Sequence, residues 1–419
     1  MPTSALTVKV FVAGGCYAGL STTLNLLDLG KGMPPRLAHE PYIHHPDLPS
    51  IDFQITIADE RDGFFHLIGS PLALAETEYS KKAWVKFGDI PAIQSPNVKV
   101  IQGSVSHVDC EAKTASVIDS TTKEVSTHSY DYFVSATGLR RVWPVVPQSL
   151  TRKQYLLEAE EQIHAVNNAQ HGVVVVGGGA VGIEMASEIK LIKPDVKVTL
   201  VHSRDKLLSS EGLPDETKDR ALELLKAEGI EMLMSHRVAK SDKTVDDDGN
   251  VRFDIEFTNG HKMIASEVIM AISKSVPTTT YLPQAALNEE GYVKIRPNLN
   301  FPSVGVANAD YHFCGGDAAQ WSGIKRCGGA MHHGHYIAYN MHQHIMSKHV
   351  SHEPKMQELQ EVEPMIGLAV GSKAVAYGPG VGTVSGEDVR EAYFKDDLGF
   401  TIVWNYLQLG GPKEEVAAA

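Results

Sequence analysis

Cysteine is scarce in this chain. Its 419 residues hold four, Cys16, Cys110, Cys314 and Cys327, and no two are spaced as CxxC or CxxxxC. That excludes a zinc ribbon and a redox-active dithiol encoded in one short motif, and it favours a reducing, cytoplasmic setting. Positive charge is also in deficit. Lys and Arg number 38 against 51 Asp and Glu, for a net charge of −13, and no Lys/Arg-rich run occurs. Phosphate-backbone binding needs a basic footprint, so no nucleic-acid partner is expected. No window reaches about 18 uninterrupted apolar residues, so no transmembrane helix is expected either. Residues Met1 to Val10 lack a basic n-region and an apolar h-region, and Pro2 excludes N-myristoylation. A peripheral membrane contact stays open. Present instead is ordinary globular composition, 43% hydrophobic and 21% charged, with one excess: 36 glycines.

The glycines mark an internal repeat. Lys9-Val-Phe-Val-Ala-Gly14-Gly15-Cys16-Tyr17-Ala18-Gly19 returns as Val173-Val-Val-Val-Gly177-Gly178-Gly179-Ala180-Val181-Gly182. Each is an apolar run too short for a helix, a Gly-rich turn, then a helix-compatible segment, Ser21–Leu29 and Glu184–Ile192. A β-type run follows each helix, Gln54–Ala58 and Lys197–Val201. These are two βαβ units, which a parallel sheet with helices on both faces would bury. Val98–Val105, Thr114–Asp119 and Tyr130–Ser135 read as strands of a meander after the first unit. Glu231–Ser235, Arg252–Phe257 and Val268–Ile272 read the same way after the second, with a hairpin turn at Asp246–Asn250. The Pro-rich stretch Val142–Lys153 reads as the linker. The expectation is an α/β protein of two Rossmann-type βαβ dinucleotide-binding domains with β-meanders, plus a C-terminal α+β segment. Its boundaries would be 1–150 with 275–350, 151–274, and 351–419.

In a G-x-G-x-x-G turn the first glycine permits the bend, the second lets backbone approach a pyrophosphate, and the third lets helix pack on strand. The helix N-terminus then aims amide N–H groups at the phosphates. Gly177, Gly179 and Gly182 satisfy the pattern. In the first copy Gly14 and Gly19 are in place, but Cys16 holds the second position. Its Cβ and sulfur would crowd a pyrophosphate unless the turn opens slightly. A tolerated small residue, an altered cofactor geometry and a thiol beside the cofactor are all compatible with it.

An acid at the end of the second strand usually takes the adenosine ribose about 20 residues past the glycines. Asp59 fills this place 40 residues after Gly19, the excess being an insertion, Lys31–Ser50. In the second copy His202-Ser203-Arg204 replaces the acid, 20 residues past Gly182. Losing the carboxylate and gaining Arg204 removes repulsion of a 2′-phosphate, so tolerance of NADPH or preference for it is expected.

The two Rossmann units, with Ser135-Ala136-Thr137-Gly138 and Phe313-Cys-Gly315-Gly316-Asp317, resemble the two-dinucleotide-binding-domain flavoproteins. Within them the chain resembles the apoptosis-inducing-factor-like branch known as AMID or ferroptosis suppressor protein, its fungal members above all. Residues Val10–Leu20, Thr56–Phe65, Val173–Glu188 and Val198–Ser203 carry this too. The resemblance spans roughly residues 8–345, and Ile366–Leu409 adds to it less specifically.

This resemblance implies an oxidoreductase with FAD on the first unit and NADH or NADPH on the second, passing electrons to a quinone-like acceptor. It implies FAD contacts at Gly14, Gly15, Cys16, Ala18, Gly19, Asp59, Arg61, Val105, Thr137, Gly138, Asp317 and Lys325. NAD(P)H contacts would come from Gly177, Gly178, Gly179, Val181, Gly182, His202 and Arg204. Lys325 would stabilise negative charge at the flavin's pyrimidine edge, and Glu184 would face nicotinamide and flavin; these two are the expected catalytic residues. Asp317 reads equally as a helix N-cap ahead of Ala318–Gln320, and Glu184 as an acid favoured by a helix dipole. Ser273 departs from the family's glycine near the nicotinamide.

Five histidines, His332, His333, His335, His342 and His344, fall in one expected helix, Gly328–Ser347. Flavin-edge packing and surface exposure explain them more simply than metal ligation, while Ile337, Met341 and Ile345 read as core. Two other functions stay open: a biosynthetic flavoenzyme acting on one metabolite, and an NAD(P)H-responsive binding protein with little turnover. A relic whose FAD site has degenerated at Cys16 is a third.

Overall fold

The structure, a computed structural model, describes residues 5–411 apart from residues 37, 39, 40, 246, 248, 273 and 274. Ser273 and two acids of the expected hairpin turn, Asp246 and Asp248, therefore lie outside the described residues. Strand β1 (Leu6–Ala13) leads through the glycine turn into helix α1 (Tyr17–Gly30). Strand β2 (Ile51–Asp59) then lies parallel to β1, Leu6 opposite Ile51 and Ala13 opposite Ala58. β1 is apolar from Val10 to Ala13 and buried there, as a central parallel strand covered on both faces must be. β3 (Val98–Asp109) pairs parallel with β2 over its first residues. From Gly103 onward it pairs antiparallel with β4 (Thr114–Asp119), past a bulge between Val105 and His107. β5 (Val125–Ser129) closes this meander, and β6 (Tyr132–Ser135) returns to lie parallel to β1. The first meander is therefore corrected. Its third strand is the largely exposed Val125–Ser129, and Tyr132–Ser135 belongs to the parallel sheet because all four of its side chains are buried.

Helix α2 (Arg152–Asn167) opens where the Thr151 hydroxyl accepts from the Gln154 N–H, so the expected linker ends at this cap. The second unit follows: β7 (Val173–Val176), α3 (Ala180–Ile192), β8 (Val198–Val201), α4 (Asp215–Ala227), β9 (Glu231–Leu233), β10 (Val238–Val245), β11 (Val251–Phe257), β12 (Lys262–Ala265) and β13 (Glu267–Met270). β9-β8-β7-β13 form one parallel sheet, and β10-β11-β12 a separate antiparallel one. The second meander is corrected too. Glu231–Leu233 and Glu267–Met270 extend the parallel sheet, while β10 and β12 had too little apolar alternation to read as strands.

β14 (His312–Cys314) adds to β6, giving the first sheet the order β14-β6-β1-β2-β3-β4-β5. The long helix α5 (Cys327–His349) packs on α1 through a seam of small residues. A Cβ on Gly334 would lie 2.5 Å from the Ala18 carbonyl, and Ser21 Oγ donates to the Met331 carbonyl at 2.7 Å. This close crossing places the Gly315-Gly316-Asp317 turn against the start of α1. After it come the antiparallel strands β15 (Ile366–Val370), β16 (Lys373–Gly378) and β17 (Gly382–Gly386), then α6 (Glu387–Tyr393) and α7 (Phe400–Tyr406). Among the described residues no helix is long and apolar enough to cross a membrane.

Candidate functional site

The two glycine turns share one backbone. Gly14 has φ +102° and Gly177 φ +127°, and a Cβ on either would strike the carbonyl that follows the neighbouring strand, at Ala136 or Ala271. A Cβ on Gly19 would lie 1.9 Å from the Gly14 carbonyl oxygen, and on Gly182 1.8 Å from that of Gly177. The first turn has therefore not opened to admit Cys16. Cys16 and Gly179 are both extended at this position, and a Cβ on Gly179 would meet nothing within 4 Å. The Cys16 thiol turns to the Phe65 carbonyl at 3.6 Å, and burial pushes it up to about 12, so it stays protonated.

Each turn is tied to the end of its second strand. The Gly15 N–H donates to Asp59 Oδ2 at 2.7 Å, and the Arg61 N–H to Oδ1 at 2.8 Å. In the second copy the Gly178 N–H donates to His202 Nδ1 at 3.1 Å, and Nε2 sits 3.1 Å from Ser209 Oγ. Burial raises the Asp59 carboxyl and lowers the His202 imidazole from their ordinary values. Arg204 is exposed and donates to the Ser209 carbonyl at 3.2 Å.

One cavity draws on both units. Cys16, Ala18, Arg61, Thr137, Gly138, Asp317 and Lys325 line it from the first, and Val181 and Glu184 from the helix after the second turn. Val105, His202 and Arg204 do not line it; Val105 is half-buried on β3. Thr137 is held by its hydroxyl, which donates to the Thr278 carbonyl at 2.7 Å. Asp317 is not a helix cap. It lies within a single 3₁₀ turn, Gly316–Ala318, and pairs with Arg141 at 3.4 Å. Lys325 Nζ donates to the Ala319 carbonyl at 2.8 Å and stands over the Tyr292 ring; burial lowers its ammonium from the ordinary lysine value. Glu184 Oε1 accepts from the Ala369 N–H at 3.2 Å, and burial pushes its carboxyl up to about 8.

Three residues that line this cavity each hold a buried polar atom with no hydrogen-bond partner: Ser70 Oγ, Arg61 Nε and Arg141 Nε. Buried polar groups are normally satisfied, so a wall carrying three such atoms suits a ligand with several acceptor groups. A flavin dinucleotide meets that requirement. Sequence reasoning did not single out Ser70 or Arg141, because neither sits in a spaced motif. Arg141 follows the Thr137-Gly138 turn closely enough that its charge was the one available signal.

The helix histidines divide. Surface exposure is corrected for His342 and His344, which are buried. His342 meets the Tyr42 hydroxyl, and His344 Nδ1 lies 3.0 Å from that of Tyr132. His333 Nδ1 accepts from the Gly316 N–H at 3.1 Å, and burial pushes it down to about 4. Ile337, Met341 and Ile345 are core.

Residues 8–334 match the model of the pyridine nucleotide-disulphide oxidoreductase family. The chain belongs to that family. It is 50% identical over 406 residues to Oxidoreductase OXR1 of Ajellomyces capsulatus, covering 96% of this chain and 88% of that protein. Human ferroptosis suppressor protein 1 is 24% identical, with 81% and 84% covered. Among solved structures, the sulfide:quinone oxidoreductase of Aquifex aeolicus superposes with a TM-score of 0.67 at 18% identity, covering 97% of this chain and 93% of that one. Membership of the pyridine nucleotide-disulphide oxidoreductases makes this an oxidoreductase that uses a flavin and a nicotinamide dinucleotide. The α/β fold with two dinucleotide-binding units agrees.

Proposed function

We propose that the chain is an FAD-dependent NAD(P)H oxidoreductase whose second electron acceptor is a quinone or a similar small molecule. In this reading residues 1–150 and 275–350 hold FAD, residues 151–274 hold NAD(P)H, and residues 351–419 form the C-terminal segment. The observation that carries it is the shared cavity, where Thr137, Gly138, Asp317 and Lys325 face Val181 and Glu184. Donor and acceptor sites that open on one cavity allow transfer without diffusion between them.

FAD, when bound, supplies a two-electron carrier able to take a hydride and hand electrons on. The protein supplies place and charge. Gly14, Gly15, Cys16, Ala18 and Gly19 would present α1's first amides to a pyrophosphate, and Asp59, Arg61 and Val105 would hold the adenosine end. Gly177, Gly178, Gly179, Val181 and Gly182 would do the same for NAD(P)H, with His202 and Arg204 at its adenosine ribose. The Lys325 ammonium sets a cation where negative charge would gather. Burial pushes the Glu184 carboxyl up to about 8, so a neutral donor or an anion is offered beside the nicotinamide. The quinone part of the reading rests on the family resemblance, as does a peripheral membrane contact.

The test is an anaerobic titration of the purified protein with NADH and with NADPH, followed by a short-chain quinone. Visible flavin absorption that bleaches with the nucleotide and returns with the quinone is expected. A colourless protein, or a coloured one that no nucleotide bleaches, would sink the reading. Bleaching with slow quinone turnover and tight binding of a metabolite would replace the acceptor by a biosynthetic substrate.

A further inference from the structure

Helix α3 carries a polar cluster that runs from Glu184, on the cavity wall, to Ser187 and Glu188, which the reaction above does not use. Glu184 and Glu188 stand one helical turn apart, with Ser187 between them. Residues 366–390 supply their partners. The Ala369 N–H donates to Glu184 Oε1 at 3.2 Å, and Ser187 Oγ donates to the Ala369 carbonyl at 3.4 Å. Arg390, on α6, pairs with Glu188 Oε1 at 2.8 Å and also donates to the Gly371 carbonyl at 2.6 Å. Glu188 is fully buried and Arg390 is 8% exposed. A buried pair of this kind is costly to break, since either charge left alone has no solvent to turn to.

We propose that Arg390 is a positioning residue of the nicotinamide site: by pairing with Glu188 it sets the charge and orientation of Glu184, making residues 366–390 part of that site. The inference rests on the reading that Glu184 faces the nicotinamide. Carboxylates at i and i+4 on a helix are neighbours and repel when both ionise, and Arg390 offsets that repulsion. Glu76 and Glu228 add negative charge around Glu188. On the cavity side Glu184 shares the wall with Arg61, Asp317 and Lys325. The other titratable groups on that wall are Arg141, Arg326, Tyr17 and the thiols of Cys16 and Cys327. The charges that act on the Glu184 carboxyl are nonetheless Glu188 and Arg390, the first raising and the second lowering it.

The oxidised nicotinamide ring is a cation, so ionised Glu184 binds it better than neutral Glu184. Affinity for NAD⁺ should therefore rise with pH and level off above about pH 8, the value to which burial brings this carboxyl. Calorimetric titration of the flavin-loaded protein with NAD⁺ between pH 6 and pH 9 reads this directly, without turnover. Glu188→Gln removes the anion but leaves Arg390, so the level region should begin about one pH unit lower. Glu188→Met carries the same sign should the glutamine variant not fold. Glu188→Gln with Arg390→Gln removes both charges and should return the onset to within ~0.3 unit of the parent.

An onset unmoved in Glu188→Gln or Glu188→Met, with only thermal stability lowered, would make the pair purely structural and overturn the proposal. So would an onset shifted as far in the double variant as in the single one. Glu184→Gln separates the two readings. A pH dependence that survives there overturns the role of Glu184 and this inference with it. A dependence lost there but unmoved in the Glu188 variants overturns the role of Arg390 alone.

Discussion

At the first glycine turn a carboxylate, Asp59, accepts the N–H of Gly15; at the second an imidazole, His202, accepts the N–H of Gly178. The third motif position also differs, Cys16 against Gly179. The two turns share the positive φ of the first glycine and the approach of the last glycine to its carbonyl, 1.9 Å and 1.8 Å from an added Cβ. The difference teaches which motif positions are geometric and which are chemical. Positions where a Cβ meets backbone are fixed by packing. The second glycine faces open space, so the protein itself tolerates a side chain there, and only a ligand would object. The strand-end acceptor needs a lone pair for the glycine amide and is otherwise free to change charge, as it does from Asp59 to His202.

The largest effects should come from breaking what the turns share. Gly19→Ala and Gly182→Ala each force a carbonyl aside and should destabilise by about 1–3 kcal/mol. Gly19→Ala should purify without flavin. Gly182→Ala should keep flavin but lose reduction by NAD(P)H about 100-fold, roughly 2.8 kcal/mol. Rapid reduction of Gly182→Ala would show that the likeness of the turns is not one of function.

Next come the strand-end acceptors. Asp59→Asn turns an amide toward one of two half-buried N–H donors and should cost about 1–3 kcal/mol, read as thermal stability and flavin content. His202→Ala frees one half-buried amide and should cost about 1 kcal/mol. Equal losses would erase the distinction drawn between them. Arg204→Ala should lower kcat/KM for NADPH about tenfold, or 1.4 kcal/mol, and leave NADH nearly unchanged. A variant that loses both nucleotides alike would place Arg204 outside 2′-phosphate recognition.

Acidity separates the turns more weakly, and with opposite sign. His202 is lowered by burial, so its contribution to stability is present above the ordinary value near 6.5 and is lost as pH falls through the folded value. Asp59 is raised, so its contribution is present below 3.8 and is lost as pH rises through its folded value. Between pH 7 and pH 5 the parent should lose slightly more melting temperature than His202→Asn; an equal loss would assign the acid sensitivity to other buried histidines. The smallest effect should be Cys16→Gly, with flavin retention within about twofold and stability lower by about 0.5–1 kcal/mol for the added backbone freedom. A large gain in flavin affinity would mean that the thiol crowds the pyrophosphate after all.

Much of this molecule was legible in the residues. Val173–Val176 and the turn after it fix a strand, a bend and a helix start, because four consecutive apolar β-branched residues and three glycines leave few other conformations. The helix expected at Gly328–Ser347 is seen at Cys327–His349 for a similar reason, an apolar periodicity that ends in polar residues. The meanders were misassigned where strands carry little hydrophobic alternation, as in the exposed β10. There the pairing partner, not the strand's own side chains, decides the structure. Arg141 and Ser70 belong to no local pattern, and only the crossing of α5 over α1 and the packing around the cavity bring them to Lys325 and Glu184.

The sequence alone therefore determined the two nucleotide turns, their helices and the strand ends that face them, since an apolar run, a glycine turn and a helix-forming segment are each read from a short stretch of chain. The tertiary structure alone decided that residues of both units line one cavity, and that Glu184 meets Ala369 across 185 residues. Local propensity acts over a few residues, whereas burial of Glu188 beside Arg390, or the hydrogen bond of Glu184 to Ala369, exists only once distant segments have packed.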